Sequence, residues 1–154
     1  MTRLAVFICT AGYVGYSPVA PGTVGSLAGL VVYALVAASG SLGIEGAVIA
    51  IVFAVGTWAA TAGERYFGGI DPGPIVIDEV LGMLVTLAFV PVGVPGAVIG
   101  FFLFRVFDVI KPFPAARLER LHGGLGVMAD DAAAAVYGNV VMWLLWAYAP
   151  EWVA

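Results

Sequence analysis

An all-α membrane bundle of about five spans, preceded by a short half-inserted N-terminal segment, is the fold this sequence predicts. Three observations predict it. Of 154 residues, 62% are hydrophobic and 10% are charged, less than half of the roughly 25% charge that an ordinary water-soluble domain carries. Long apolar stretches recur, separated by Gly and Pro clusters. Most of the six basic and ten acidic residues are gathered into two stretches, residues 64–79 and 105–131, so the rest of the chain has little to offer to water. A chain of this length buries one core, and residues 1–154 read as a single membrane-embedded domain.

The elements follow in order. Residues 4–13 form a short apolar run behind Arg3. It is too brief for a crossing, which needs about 20 residues, and suits a half-inserted helix. It also has the profile of a signal peptide, but no small-residue cleavage pattern follows. Residues 26–43 and 46–63 are two long apolar runs with Glu45 between them, a helical hairpin. Residues 75–93 and 95–111 make a second pair, broken at Pro91 and Pro95, where no continuous helix can form. Residues 128–149 supply the last span, closed by Pro150 and an interfacial Trp152.

Five spans place Arg3, Arg65, Arg105, Lys111, Arg117 and Arg120 on one side of the bilayer, the cytoplasmic side by the positive-inside rule. A net charge of −4 with no basic stripe argues against a nucleic-acid partner. The single Cys9 has no disulfide or metal spacing and reads as core. Gly25 with Gly29, and Gly96 with Gly100, have the spacing of close helix packing. The pattern is too frequent to specify a dimer, and a homo-oligomer stays open.

Chemistry is expected where the acids meet. Glu79 and Asp108 lie about twelve and thirteen residues from the turn at Pro91 and Pro95, hence about 18–20 Å along their helices. Both then sit at one depth, near the cytoplasmic boundary. Asp130 and Asp131 open the last span at a similar level, and Asp78 stands beside Glu79. Acids at the edge of a bilayer face a partner, a metal or water, and carboxylates crowded together need a cation. Mg²⁺, which takes hard oxygen ligands and phosphate, is the expected cofactor; one Cys and one His give zinc little support. The alternatives are acids that favour helix N-termini and a structural Arg105–Asp108 pair on one helix face.

A second constellation, residues 17–26, contains Ser17, Pro21, Gly22, Thr23, Gly25 and Ser26 just before the first long span. Thr23 or Ser26 is expected to cap that helix, whose N-terminus would receive an anion. The glycines of residues 121–126 read as a loop able to close over a headgroup, and His122 as a solvated or hydrogen-bonding residue.

These blocks resemble the phosphatidylglycerophosphatase A family of bacterial membrane phosphatases. The likeness rests on Ser17-Pro18, Pro21-Gly22-Thr23 and Gly25-Ser26-Leu27. It continues in Ile75-Val76, Asp78-Glu79 and Gly82-Met83, then Phe104-Arg105, Asp108, Lys111-Pro112 and Pro114. It ends in Gly123-Gly124, Gly126, Met128 and Asp130-Asp131. The family's alanine-glycine after the acid pair is replaced here by Ala132 to Ala135.

The resemblance implies Mg²⁺-dependent hydrolysis of phosphatidylglycerophosphate to phosphatidylglycerol and phosphate, in phospholipid biosynthesis. The protein would then be a multi-pass component of the bacterial inner membrane, among membrane lipids, with its site facing the cytoplasm. Asp78, Glu79, Asp108, Asp130 and Asp131 are the expected catalytic residues, with Asp78, Glu79 and one or both of Asp130 and Asp131 on the metal. Ser17, Thr23, Ser26, Arg105 and Lys111 are the expected substrate contacts. Attack by water and attack by a carboxylate both stay open.

Competing readings are a CDP-alcohol phosphotransferase, whose longer aspartate pattern is missing, and a phosphohistidine lipid phosphatase, which one histidine cannot supply. From other classes come a small ion transporter, which has no use for the Pro-Gly-Thr loop, and a non-catalytic lipid-binding protein.

Overall fold

Helix is the only regular secondary structure among the described residues. The computed structural model describes residues 2–154. Its helices are α1 (Thr2–Cys9), α2 (Pro21–Ala37), α3 (Leu42–Phe67), α4 (Ile77–Thr86), α5 (Val94–Ile110), α6 (Ala115–Leu118) and α7 (Gly124–Tyr148). Single 3-10 turns lie at Val14–Tyr16 and Pro150–Trp152.

The five long apolar stretches become α2, α3, α4, α5 and α7, in the expected order, but their lengths differ from expectation. Among the described residues, α3 alone is long and apolar enough to cross a membrane by itself. Helices α2 and α5 have 17 residues each, about 26 Å at 1.5 Å per residue. Helix α4, expected over residues 75–93, has only 10, about 15 Å and half of a hydrocarbon core about 30 Å thick. Five full crossings therefore do not follow from these lengths.

The stub α4 is the centre of the bundle. Ile77, Asp78, Val80, Leu81, Gly82, Met83, Leu84 and Thr86 are all buried, and α2, α3, α5 and α7 pack around them. A helix that ends inside a bundle must find partners for its last backbone groups. Asn139 of α7 supplies them: its side-chain NH₂ donates to the carbonyls of Thr86 (3.2 Å) and Ala88 (2.9 Å). Just beyond, the Phe89 N–H donates to the Glu45 carboxylate of α3 at 3.0 Å. There the chain turns away through a left-handed Phe89, φ 61°.

Helix α2 reaches α4 through its small residues. A Cβ on Gly25 would lie 2.7 Å from Val76 Cβ, and one on Gly29 2.8 Å from Met83 Cβ, closer than non-bonded carbons approach. The small-residue spacing read in the sequence serves this internal contact. Helix α1 packs on α3 with Cys9 fully buried, as expected. It also holds the segment before α4, since the Cys9 carbonyl accepts the Val76 N–H at 2.9 Å.

The outward faces of α2, α3, α5 and α7 are oily, with Val31, Leu35, Ile51, Phe102, Val109 and Leu144 all exposed. Asp78, Asp130 and Asp131 are buried. The core between these helices is mostly apolar as well, so exposed apolar faces around buried carboxylates depart from the usual arrangement in water.

Candidate active site

Four helices converge on one cavity of about 300 Å³, lined from α2 by Pro21, Gly22 and Thr23, from α4 by Asp78 and Glu79, from α5 by Arg105 and Asp108, and from α7 by Asp131, with Asp71 and Lys111 from the connecting segments. The shared depth inferred for Glu79 and Asp108 corresponds to real proximity. Arg105 Nη1 stands 3.8 Å from Glu79 Oε1 and 2.8 Å from Asp108 Oδ2.

Local structure explains how each group arrives. Asp78 and Glu79 occupy the first turn of α4, where the helix dipole favours negative charge. Helix α2 begins at Pro21, five residues before the expected start, with Ala20 left-handed at its N-cap (φ 45°). Neither Thr23 nor Ser26 caps it, which corrects that expectation: proline at the first position suits a helix start without a side-chain cap. The first-turn N–H groups of Gly22 and Thr23 have no carbonyl within the helix to bond. Gly22 leaves room for the Glu79 carboxylate, because a Cβ on it would lie 2.2 Å from Glu79 Oε1.

Asp78, Glu79 and Asp131 can each bring one carboxylate oxygen within 4.8 Å of the others. Asp78 Oδ1 and Glu79 Oε2 are buried without any hydrogen-bond partner, a costly condition for a carboxylate. Three hard oxygen donors, two of them with an unpaired buried oxygen, fit a divalent cation such as Mg²⁺.

Asp130 takes a different place. The sequence leaves one or both of Asp130 and Asp131 as ligands; successive helix positions point about 100° apart, and Asp130 faces Lys111. Lys111 Nζ lies 2.5 Å from Asp130 Oδ2 and 3.3 Å from Glu119 Oε1. Burial opposes the Lys111 charge, but the Asp130 hydrogen bond and charge outweigh it and hold the ammonium above its ordinary pKa. The acid pair also lies inside α7, which starts at Gly124, and so does not begin the helix.

Other expected residues fall away from the cavity. The Ser17 hydroxyl donates to the Val19 carbonyl, and the buried Ser26 hydroxyl to the Gly22 carbonyl at 2.9 Å, so neither lines the cavity while Thr23 does. Nor do residues 121–126 form a free lid. The Gly124 N–H donates to Thr61 Oγ1 at 2.9 Å, and a Cβ there would lie 2.2 Å from the Thr57 carbonyl oxygen. His122 is exposed and is not among the lining residues. Sequence reasoning missed Asp71 and Gly73, which line the cavity from the segment before α4. The signal was available, because Asp71 lies in the same charged stretch as Asp78 and Glu79.

Known proteins resemble the chain over most of its length. A protein of Bacteroides thetaiotaomicron named "Putative phosphatidylinositol-3-phosphatase" is 35% identical over 146 residues, covering 90% of this chain and 91% of the relative. The phosphatidylglycerophosphatase A of Haemophilus influenzae is 35% identical over 128 residues, 82% of this chain and 78% of the relative. That of Escherichia coli is 32% identical over 133 residues, 85% and 77%. No solved structure matches the chain. The sequence pattern described as Phosphatidylglycerophosphatase A matches residues 7–146, a stretch that contains every residue of the acidic cluster and the Arg105 and Lys111 cations, and the chain belongs to that family of lipid phosphatases.

Proposed function

We propose that the protein hydrolyses the terminal phosphomonoester of phosphatidylglycerophosphate to phosphatidylglycerol and inorganic phosphate, in phospholipid biosynthesis. The reaction would use Mg²⁺ at the cytoplasmic face of a bacterial inner membrane. The observation that carries this reading is the meeting of Asp78, Glu79 and Asp131 with Arg105 in one cavity.

Asp78, Glu79 and Asp131 would hold the cation, which when bound neutralises phosphate charge and lowers the pKa of a water. Arg105, fixed by Asp108 on its own helix face, presents its guanidinium to the phosphate, where a planar fork matches oxygen pairs. The free N–H groups of Gly22 and Thr23 at the start of α2 receive non-bridging oxygens. Lys111, held by Asp130 and Glu119, adds positive charge at the cavity wall. Asp108 thus acts by orienting Arg105, and Asp130 by orienting Lys111.

A membrane location is supported by the apolar outer faces, by the length of α3 and by the buried ends of α4. In this reading α2, α3, α5 and α7 cross the bilayer and α4 enters it halfway. The basic residues at the cavity end of the bundle set that end in the cytoplasm by the positive-inside rule.

A second substrate reading has its own support, because the relative named "Putative phosphatidylinositol-3-phosphatase" matches 90% of the chain. The test for both is purified protein in mixed micelles with each lipid, with and without Mg²⁺, scored for released phosphate. Release from phosphatidylglycerophosphate alone supports the first reading, and release from the inositol lipid alone replaces it. No release from either lipid with any divalent metal would favour a transporter or a non-catalytic lipid-binding protein.

A further inference from the structure

Five carboxylates line the cavity, and four already have an assignment. Asp78, Glu79 and Asp131 face one another, and Asp108 is paired with Arg105. The fifth, Asp71, makes no salt bridge among the described residues. It stands at the exposed rim, on the segment joining α3 to α4. It is held there by its own backbone: its N–H donates to Glu64 Oε1 at 3.1 Å, and its φ is 45°, a left-handed conformation that an aspartate adopts more readily than most residues. Directly after it, residues 72–75 form a turn in which the Ile75 N–H donates to the Pro72 carbonyl at 2.8 Å.

Hydrolysis of an alkyl phosphomonoester needs something the other groups do not offer. When the phosphorus–oxygen bond breaks, its electron pair stays on the glycerol oxygen, an alkoxide far too basic to leave without a proton. Acids that hold a cation are charged and have no proton to give. We propose that Asp71 is the general acid of the reaction, its carboxyl protonating the departing glycerol oxygen. This rests on the phosphatase reading above. The oxygen that attacks phosphorus ends in inorganic phosphate, the bridging bond breaks, the Asp71 proton becomes the new hydroxyl proton of the lipid, and a proton lost by water restores the carboxyl.

The surroundings favour a carboxyl that keeps its proton. Partial burial, then the negative charges of Asp130, Glu119 and Glu64, push Asp71 up to about 6, against the opposing pull of Lys111. Asp78, Glu79, Arg105, Asp108 and Asp131 line the same cavity and share its field.

The test compares the native protein with Asp71→Asn on two lipids: phosphatidylglycerophosphate, and its analogue with sulfur in place of the bridging ester oxygen. A thiolate leaves without protonation. Asp71→Asn should lose about 100-fold or more in kcat on the oxygen lipid and stay within a few-fold of the native protein on the sulfur lipid. Equal loss on both, or no loss on either, overturns the proposal. If the native protein does not cleave the sulfur lipid, the pH profile on the oxygen lipid decides. The native kcat should fall as pH rises above about 6, and Asp71→Asn should remove that fall; an unchanged profile overturns the proposal. Failure of the native protein to cleave the oxygen lipid would instead overturn the substrate reading.

Discussion

Lys111 Nζ and Asp130 Oδ2 lie 2.5 Å apart, tying the end of α5 to the interior of α7 and separating Asp130 from the cluster that Asp131 joins. Breaking the pair from the lysine side leaves a buried carboxylate without its counter-ion, with only the Asp131 N–H still donating to it at 2.9 Å. Lys111→Met should destabilise the protein by about 3 kcal/mol, the lower end for an ion pair of this kind because Lys111 is partly exposed. Thermal unfolding in detergent, followed by circular dichroism, measures it.

The two neighbouring aspartates should differ in activity. Asp131→Asn is expected to lower phosphate release about a thousandfold, several kcal/mol in the barrier, and Asp78→Asn to do the same. Asp130→Asn, acting through Lys111, should cost only about 10–100-fold. Initial rates at saturating lipid and Mg²⁺ compare the three, and equal losses would return Asp130 to the metal.

Chelation should separate cation binding from folding. With Asp78 Oδ1 and Glu79 Oε2 unpaired in the cavity, adding Mg²⁺ to metal-free native protein should raise its melting temperature. Asp78→Asn should abolish that rise, and a shift of equal size in the variant would remove the metal from this cluster.

Gly22→Ala should damage activity without damaging the fold. The added Cβ meets only the far end of the Glu79 side chain, 2.2 Å from Oε1, so the carboxylate must move while the backbones stay. A displacement near 1 Å at a reacting centre costs about 100-fold, and alanine is the better helix former by up to about 1 kcal/mol. Steady-state rates should therefore fall about 100-fold with an unchanged or slightly higher melting temperature.

Asn139→Leu should do the opposite. It leaves the Thr86 and Ala88 carbonyls without the donor they share, at about 1–3 kcal/mol for a buried polar group deprived of its partner. The melting temperature falls, while kcat per folded molecule changes little.

The sequence carried the helices and the acids unevenly. Apolar runs bounded by Gly and Pro located α2, α3, α5 and α7, and counting from Pro91 and Pro95 placed Glu79 level with Asp108, because rise per residue is fixed by helix geometry. The early end of α4 was not legible. It depends on Asn139, more than fifty residues away, and on Glu45, and no local composition announces such partners. Asp130 and Asp131 looked equivalent as letters and differ because a helix turns about 100° between them. Ser26 read as a ligand, yet its hydroxyl bonds the Gly22 carbonyl, a choice made by helix i−4 geometry and burial.

For a chain inserted into a bilayer, the half-length of α4 bears on the order of its biogenesis. A ten-residue segment headed by two carboxylates has no resting place of its own in lipid, and the donor that completes its far end comes from α7, more than fifty residues further along the chain. Partially made chains therefore have α2, α3 and α5 ready as walls around a segment that cannot yet settle. The arrival of α7 delivers Asp131 at one end of α4 and Asn139 at the other, so the enzyme acquires its site and its structural integrity in the same late event, and a chain cut short before α7 should have neither.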